Sequence, residues 1–118
     1  MSENKESRTI FHDILDKKIP SNKVYEDDYV YAFKDINPVA PFHVLIIPKN
    51  LNGLTSLSKA EEKHKELLGH MMYAVSLITK QNNIDSYRTV INSGEEAGQS
   101  VFYIHIHIIG GKSLSWPP

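Results

Sequence analysis

The segment VFYIHIHIIGG, residues 101–111, reads as a β-strand with two unlike faces. Side chains alternate across a strand, so Phe102, Ile104, Ile106 and Ile108 are predicted on one face, and Tyr103, His105 and His107 on the other. The first set is built to pack. The second either carries chemistry or marks the solvated side of a half-covered sheet. An apolar strand face needs neighbouring strands and a covering layer, and the flanking sequence supplies both.

Upstream, YRTVIN (87–92) is predicted as another strand, joined to the first by the turn-rich SGEEAGQ. Ser58 and Glu61 form a capping box, behind which Leu67, Leu68, Met71, Met72, Val75 and Ile78 recur at helical spacing. That helix is predicted to end near Asn82 and Asn83. Nearer the N-terminus, KVYED, YVYAFKD and HVLIIP read as three antiparallel strands around the Asp27-Asp28 turn and the INPVAP loop. Thr9 caps a short first helix with Ile10, Phe11, Ile14 and Leu15 at helical spacing before Pro20. The tail SLSWPP cannot extend a sheet, because its two prolines lack donors. The expectation is a single α+β domain over residues 1–118, with residues 1–8 mobile. Its five-stranded, mainly antiparallel sheet is accompanied by one long and one short helix.

Bulk properties narrow the function. With 118 residues there is room for one core, and 41% hydrophobic against 23% charged residues excludes disorder. Thirteen basic against fourteen acidic residues give a net charge of −1, so no global field recruits nucleic acid or an anionic membrane. The longest apolar runs fall far short of a bilayer span. With no cysteine, thiol catalysis and thiolate zinc sites are excluded. The start MSENKESRT lacks the apolar stretch of a secretory signal, so the expected location is the cytoplasm, with the nucleus left open.

Around the histidine strand, Gly94, Gly98 and Ser100 supply flexible backbone and a hydroxyl suited to phosphate oxygens, although an ordinary hairpin connection would use glycines too. His43 opens another predicted strand, and a third imidazole there could join the pair if the strands are neighbours. His-x-His on a strand also suits a metal ion, with His43 or Asp35 completing the set. His12, His64 and His70 fall on predicted helices at spacings that build no face with the strand pair, and are read as helix-surface or core-edge residues.

These residues together resemble a known family, the histidine triad (HIT) nucleotide-binding proteins, and within it the Hint branch of purine nucleoside phosphoramidases. The resemblance runs from TIFHDIL through AFKDINPVAPFHVLIIPK and YRTVIN to GQSVFYIHIHIIGGK and the terminal WPP. YIHIHII stands where the family has His-φ-His-φ-His-φ-φ, φ being apolar, so Tyr103 replaces the first histidine. The resemblance implies that His105 is the nucleophile toward the α-phosphorus of a nucleoside 5′-phosphoramidate, passing through a nucleotidyl-histidine. His107 would contact phosphate and leaving group, with His43 and Ser100 completing the catalytic set. Asn92, Gly98, Gln99, Ser100 and Val101 would line the phosphate side of the pocket, Asp35 would hold the ribose hydroxyls, and Phe11, Ile14, Phe33 and Ile36 would clamp the purine.

Trp116 resembles a residue that reaches toward the partner subunit's site in family homodimers, whose two sheets join into one of ten strands. The implied ligands are purine nucleoside monophosphates and their phosphoramidates; no cofactor or metal is required, and neither nucleic acid nor membrane is a partner. Since the first triad position is not the nucleophile, activity is expected to survive Tyr103, with a tuning effect on pH dependence. Two other readings stand beside this one: an AMP-binding interaction protein with little turnover, and a zinc-binding module using His43, His105 and His107.

Overall fold

Between Lys23 and Pro48 the chain doubles back twice, because Asp27 and the Pro-punctuated loop after Asp35 interrupt three runs rich in β-branched and aromatic residues. The computed structural model describes residues 7–118. In it, β1 (Lys23–Glu26), β2 (Val30–Lys34) and β3 (Phe42–Pro48) pair antiparallel in sequence. The first of two helices, α1 (Ile10–Leu15), precedes them, and α2 (Lys65–Gln81), β4 (Tyr87–Val90) and β5 (Ile106–Gly110) follow. The sheet order is β1-β2-β3-β5-β4, every pair antiparallel, so β5 sits between β3 and β4. The mobile start expected over residues 1–8 lies, through residue 6, outside the described residues; Arg8 pairs with Asp13 on α1 and with Asp16 at its C-cap.

Asp27 makes the first reversal. Its Oδ1 accepts the N–H groups of Tyr29 and Val30 at 2.8 and 2.9 Å, while Oδ2 takes the Tyr25 hydroxyl and the His70 Nε2 from α2. Burial works against the charge, but these four donors outweigh it and hold the carboxyl at about 2. A drop from 3.8 to about 2 corresponds to about 2 kcal/mol of stability, present above pH 4 and lost as pH falls through 2. Asp27→Ala is therefore expected to lose about 2 kcal/mol in urea unfolding at pH 7; a loss below about 0.5 kcal/mol would place this tie among ordinary surface contacts.

On one sheet face Val30, Ala32, Val44, Ile46, Ile106 and Ile108 are all buried, opposite the Met71, Ala74, Val75 and Ile78 stripe of α2. Its start departs from the expected Ser58–Glu61 capping box. Two single 3-10 turns, Leu57–Lys59 and Glu62–His64, come first, and the cap pairs Glu61 with His64. His64 Nδ1 accepts the Glu61 N–H and its Nε2–H donates to the Asn52 carbonyl, both at 2.9 Å, and the ring is buried, deeper than the helix-surface or core-edge place expected for it. Histidine fills the same third position in α1, where His12 Nδ1 accepts the Thr9 N–H and Thr9 caps the helix as expected. Among the described residues no helix is long and apolar enough to cross a membrane.

The expected strand at the C-terminal end is shorter than its alternation suggests. β5 begins only at Ile106, and residues 101–105 form a bent segment outside the ladder. Here the Ile104 N–H donates to the Leu54 carbonyl and the Tyr103 carbonyl is taken by a side chain, so neither serves strand pairing. The two-face pattern fails at its start accordingly: Phe102 is 45% exposed rather than packed beside Ile104, and Tyr103 is buried in the core.

Candidate active site

Register sets the site. His43 on β3 stands opposite Ile109 and Leu45 opposite His107, so both histidines share the sheet face that α2 does not cover. The Val39 N–H donates to His43 Nδ1 at 3.1 Å, which leaves the ring hydrogen on Nε2. That Nε2–H lies 2.9 Å from His107 Nδ1 and 3.3 Å from Asp35 Oδ2. In neutral His107 the hydrogen is therefore on Nε2.

His105 is fixed the other way round. Its Nδ1 lies 2.7 Å from the Tyr103 carbonyl, which can only accept, so Nδ1 bears the hydrogen and Nε2 keeps a bare lone pair. Phe11 stands edge-on to the ring at 5.0 Å, and the His105 and His107 centroids are 5.0 Å apart. Burial lowers the His105 pKa, against the opposing pull of the Tyr103 carbonyl and the Asp35 charge. Burial likewise takes His107 to about 4, helped by His105 and His43 and opposed by Asp35. At neutral pH His107 is thus an uncharged hydrogen-bond donor.

A cleft of about 260 Å³ opens over this pair. Phe11, Ile14 and Phe33 form its buried walls and Ile36, 81% exposed, its outer edge. Asp35 and Ser100 complete the polar side with His105 and His107, and the apolar Val101 lines the cleft next to Ser100. Besides facing His43, Asp35 caps its own turn by accepting the Asn37 N–H at 2.9 Å. Ile19, Pro20 and Leu45 also line the cleft and escaped the sequence reading, because nothing in KKIP or in a strand interior marks them as more than structure.

Other expected site residues do not line the cleft. Gln99 is buried with its amide spent inside the loop: Nε2 donates to the Thr55 and Val101 carbonyls, and Oε1 accepts the Gly94 N–H. It braces the loop that carries Ser100. Gly94 and Gly98 both adopt positive φ around the single turn Glu95–Ala97, and the position a Cβ would take on Gly98 is 3.7 Å from Asn92 Nδ2. His43 lies behind His107. Trp116 is 81% exposed, its ring 6.0 Å from the Arg88 guanidinium. His12, His64 and His70 stay outside the cleft.

Among the described residues the possible metal ligands that converge are Asp35, His43 and His107, all within 4.8 Å, and not the trio His43, His105 and His107 weighed from sequence. This set does not fit zinc. Ligation by His43 Nε2 would move the ring hydrogen to Nδ1, facing the Val39 N–H donor to donor.

Comparisons with known proteins agree with the fold. A family model described as the HIT domain matches residues 16–114. The chain is 54% identical to the "14 kDa zinc-binding protein" of Zea mays over 114 residues, 96% of this chain and 89% of that one. It is 51% identical to "Adenylylsulfatase HINT1" of Arabidopsis thaliana, again over 96% of this chain and 78% of the relative. Among solved structures, a HIT family hydrolase from Legionella pneumophila superposes with a TM-score of 0.89 at 34% identity, covering 94% of this chain and 99% of that one.

Proposed function

The chain belongs to the HIT domain family, and from that premise we propose that it hydrolyses purine nucleoside 5′-phosphoramidates through a nucleotidyl intermediate on His105. The observation that carries this reading is the bare Nε2 of His105, fixed by the Tyr103 carbonyl in a cleft that also holds Asp35 and His107. In the first step Nε2 attacks the α-phosphorus. The P–N bond to the amine breaks as the P–Nε2 bond forms; the bound phosphate anion raises the proton affinity of His107, which takes up one proton from solvent while the His43 Nε2–H turns to Asp35 Oδ2, and then passes a proton to the amine and returns to its neutral form. In the second step water attacks phosphorus, P–Nε2 breaks, His107 recovers a proton from the water, and the nucleoside monophosphate leaves. Phe11, Ile14, Phe33 and Ile36 clamp the purine, Asp35 accepts from the ribose hydroxyls, and Ser100 donates to the phosphate.

A homodimer goes with this reading. The sheet order leaves β4 at an edge, and pairing with a second β4 would satisfy its unpaired groups and place Trp116, beside Arg88 of β4, near the junction.

The name of the Arabidopsis relative suggests a second substrate class, adenylyl sulfates, on which the same two displacements would act. Sulfate leaves as the anion of a strong acid and needs no proton, whereas an amine does. His107→Gln is thus expected to slow amine release from adenosine 5′-phosphoramidate about 100-fold and sulfate release from adenylyl sulfate far less. Equal losses on both substrates would remove the proton donor from the scheme. The defining assay is steady-state amine release by the parent protein in the presence of chelator. Turnover there supports metal-independent hydrolysis, while AMP binding without turnover supports the binding-protein alternative instead.

A further inference from the structure

Residues 101–105 lie outside the sheet ladder, yet the Tyr103 carbonyl within them decides which nitrogen of His105 is bare. Something other than strand pairing must hold that carbonyl's direction, since a nucleophile works only when held within about half an ångström of its productive position. The Tyr103 side chain is 1% exposed and does not line the cleft. Its hydroxyl donates to the carbonyl of Pro48 at the end of β3. Its ring meets Phe11 at 5.8 Å and His12 at 4.9 Å, both edge-on. Phe11 in turn meets His105 at 5.0 Å and Phe33 at 5.7 Å, also edge-on.

We propose that Tyr103 is a positioning residue for the nucleophile: its hydroxyl anchors at Pro48 the bent segment whose carbonyl fixes the His105 tautomer, and its ring supports Phe11, the member of the purine clamp that stands against that imidazole. The inference rests on the proposed hydrolase reading for its kinetic effect, but its structural core concerns His105 alone. It also replaces the electrostatic tuning expected from sequence. The phenol is directed at Pro48 and α1, and not into the cleft shared by His105 and His107.

Tyr103→Phe keeps the ring and removes only the donor. Loss of one buried hydrogen bond from the anchor is expected to lower kcat on adenosine 5′-phosphoramidate about tenfold, with KM changed less than about twofold. The ¹⁵N spectrum of His105 should change from a single Nδ1–H tautomer to a mixture of both. Unchanged kcat, or a single tautomer retained in the variant, overturns the proposal. Tyr103→His supplies the second test: its pH–rate profile should keep the parent's shape, and a displaced acid limb would assign the position an electrostatic role instead. The ¹⁵N measurement needs no turnover. A parent that releases no amine therefore defeats only the hydrolase reading, while a Tyr103→Phe variant with its tautomer intact defeats only this one.

Discussion

Replacing His105 with alanine is expected to reduce amine release from adenosine 5′-phosphoramidate by on the order of a thousandfold or more, while AMP binding stays within about threefold of the parent. The asymmetry follows from where the ring stands. Most of the cleft that would hold a nucleotide comes from other residues: Phe11, Ile14, Phe33 and Ile36 for the base, and Asp35 and Ser100 for ribose and phosphate. His105 adds the bare Nε2, and the other imidazole of the cleft, His107, cannot replace it. The lone pair of His107 Nδ1 is engaged by His43, and its Nε2 carries hydrogen. Alanine also removes the edge contact with Phe11, so His105→Gln should be measured beside it as a variant of closer volume. Turnover surviving in both variants would move the nucleophile elsewhere; loss of AMP affinity together with turnover would make His105 a binding residue.

What the sequence displayed and what it hid follow one physical division. Period-2 and period-3.6 apolar patterns, Thr9 and the proline-marked loops are local signals, and they located all five strands and both helices. Hidden were the features made by partners distant in the chain or by side chains bonding to backbone. The bent segment at residues 101–105 arises because Ile104 bonds to Leu54 and His105 to Tyr103, neither of which alternation can register. Histidine acting as the second member of a capping box, at His12 and His64, lies outside the Glu or Gln pattern by which such boxes are read. His43 and His107 were suspected as neighbours, but the tautomers depend on the amide of Val39, a residue with nothing in its side chain to draw notice. That amide also bears on the zinc question, because it opposes the tautomer that ligation through His43 Nε2 would need.

The same burial that readies the site for chemistry should make the fold sensitive to acid. His107 has a pKa of about 4 when folded, against 6.5 in the unfolded chain. Between those values the unfolded chain binds a proton that the folded protein refuses, so stability falls as pH drops below 6.5 and the loss is complete below 4. A difference of this size amounts to about 3 kcal/mol, a large share of a small domain's stability. His105, also lowered by burial, adds in the same direction. Asp27 does not share this window, because its contribution is intact above pH 4 and disappears only as pH falls through 2. Urea unfolding at pH 7.5 and pH 4.5 is therefore expected to show the parent losing at least about 2 kcal/mol more than His107→Gln, whose side chain cannot titrate. Parallel losses in the two proteins would mean that His107 takes up its proton without unfolding, and that its neutral state at pH 7 is not maintained by burial.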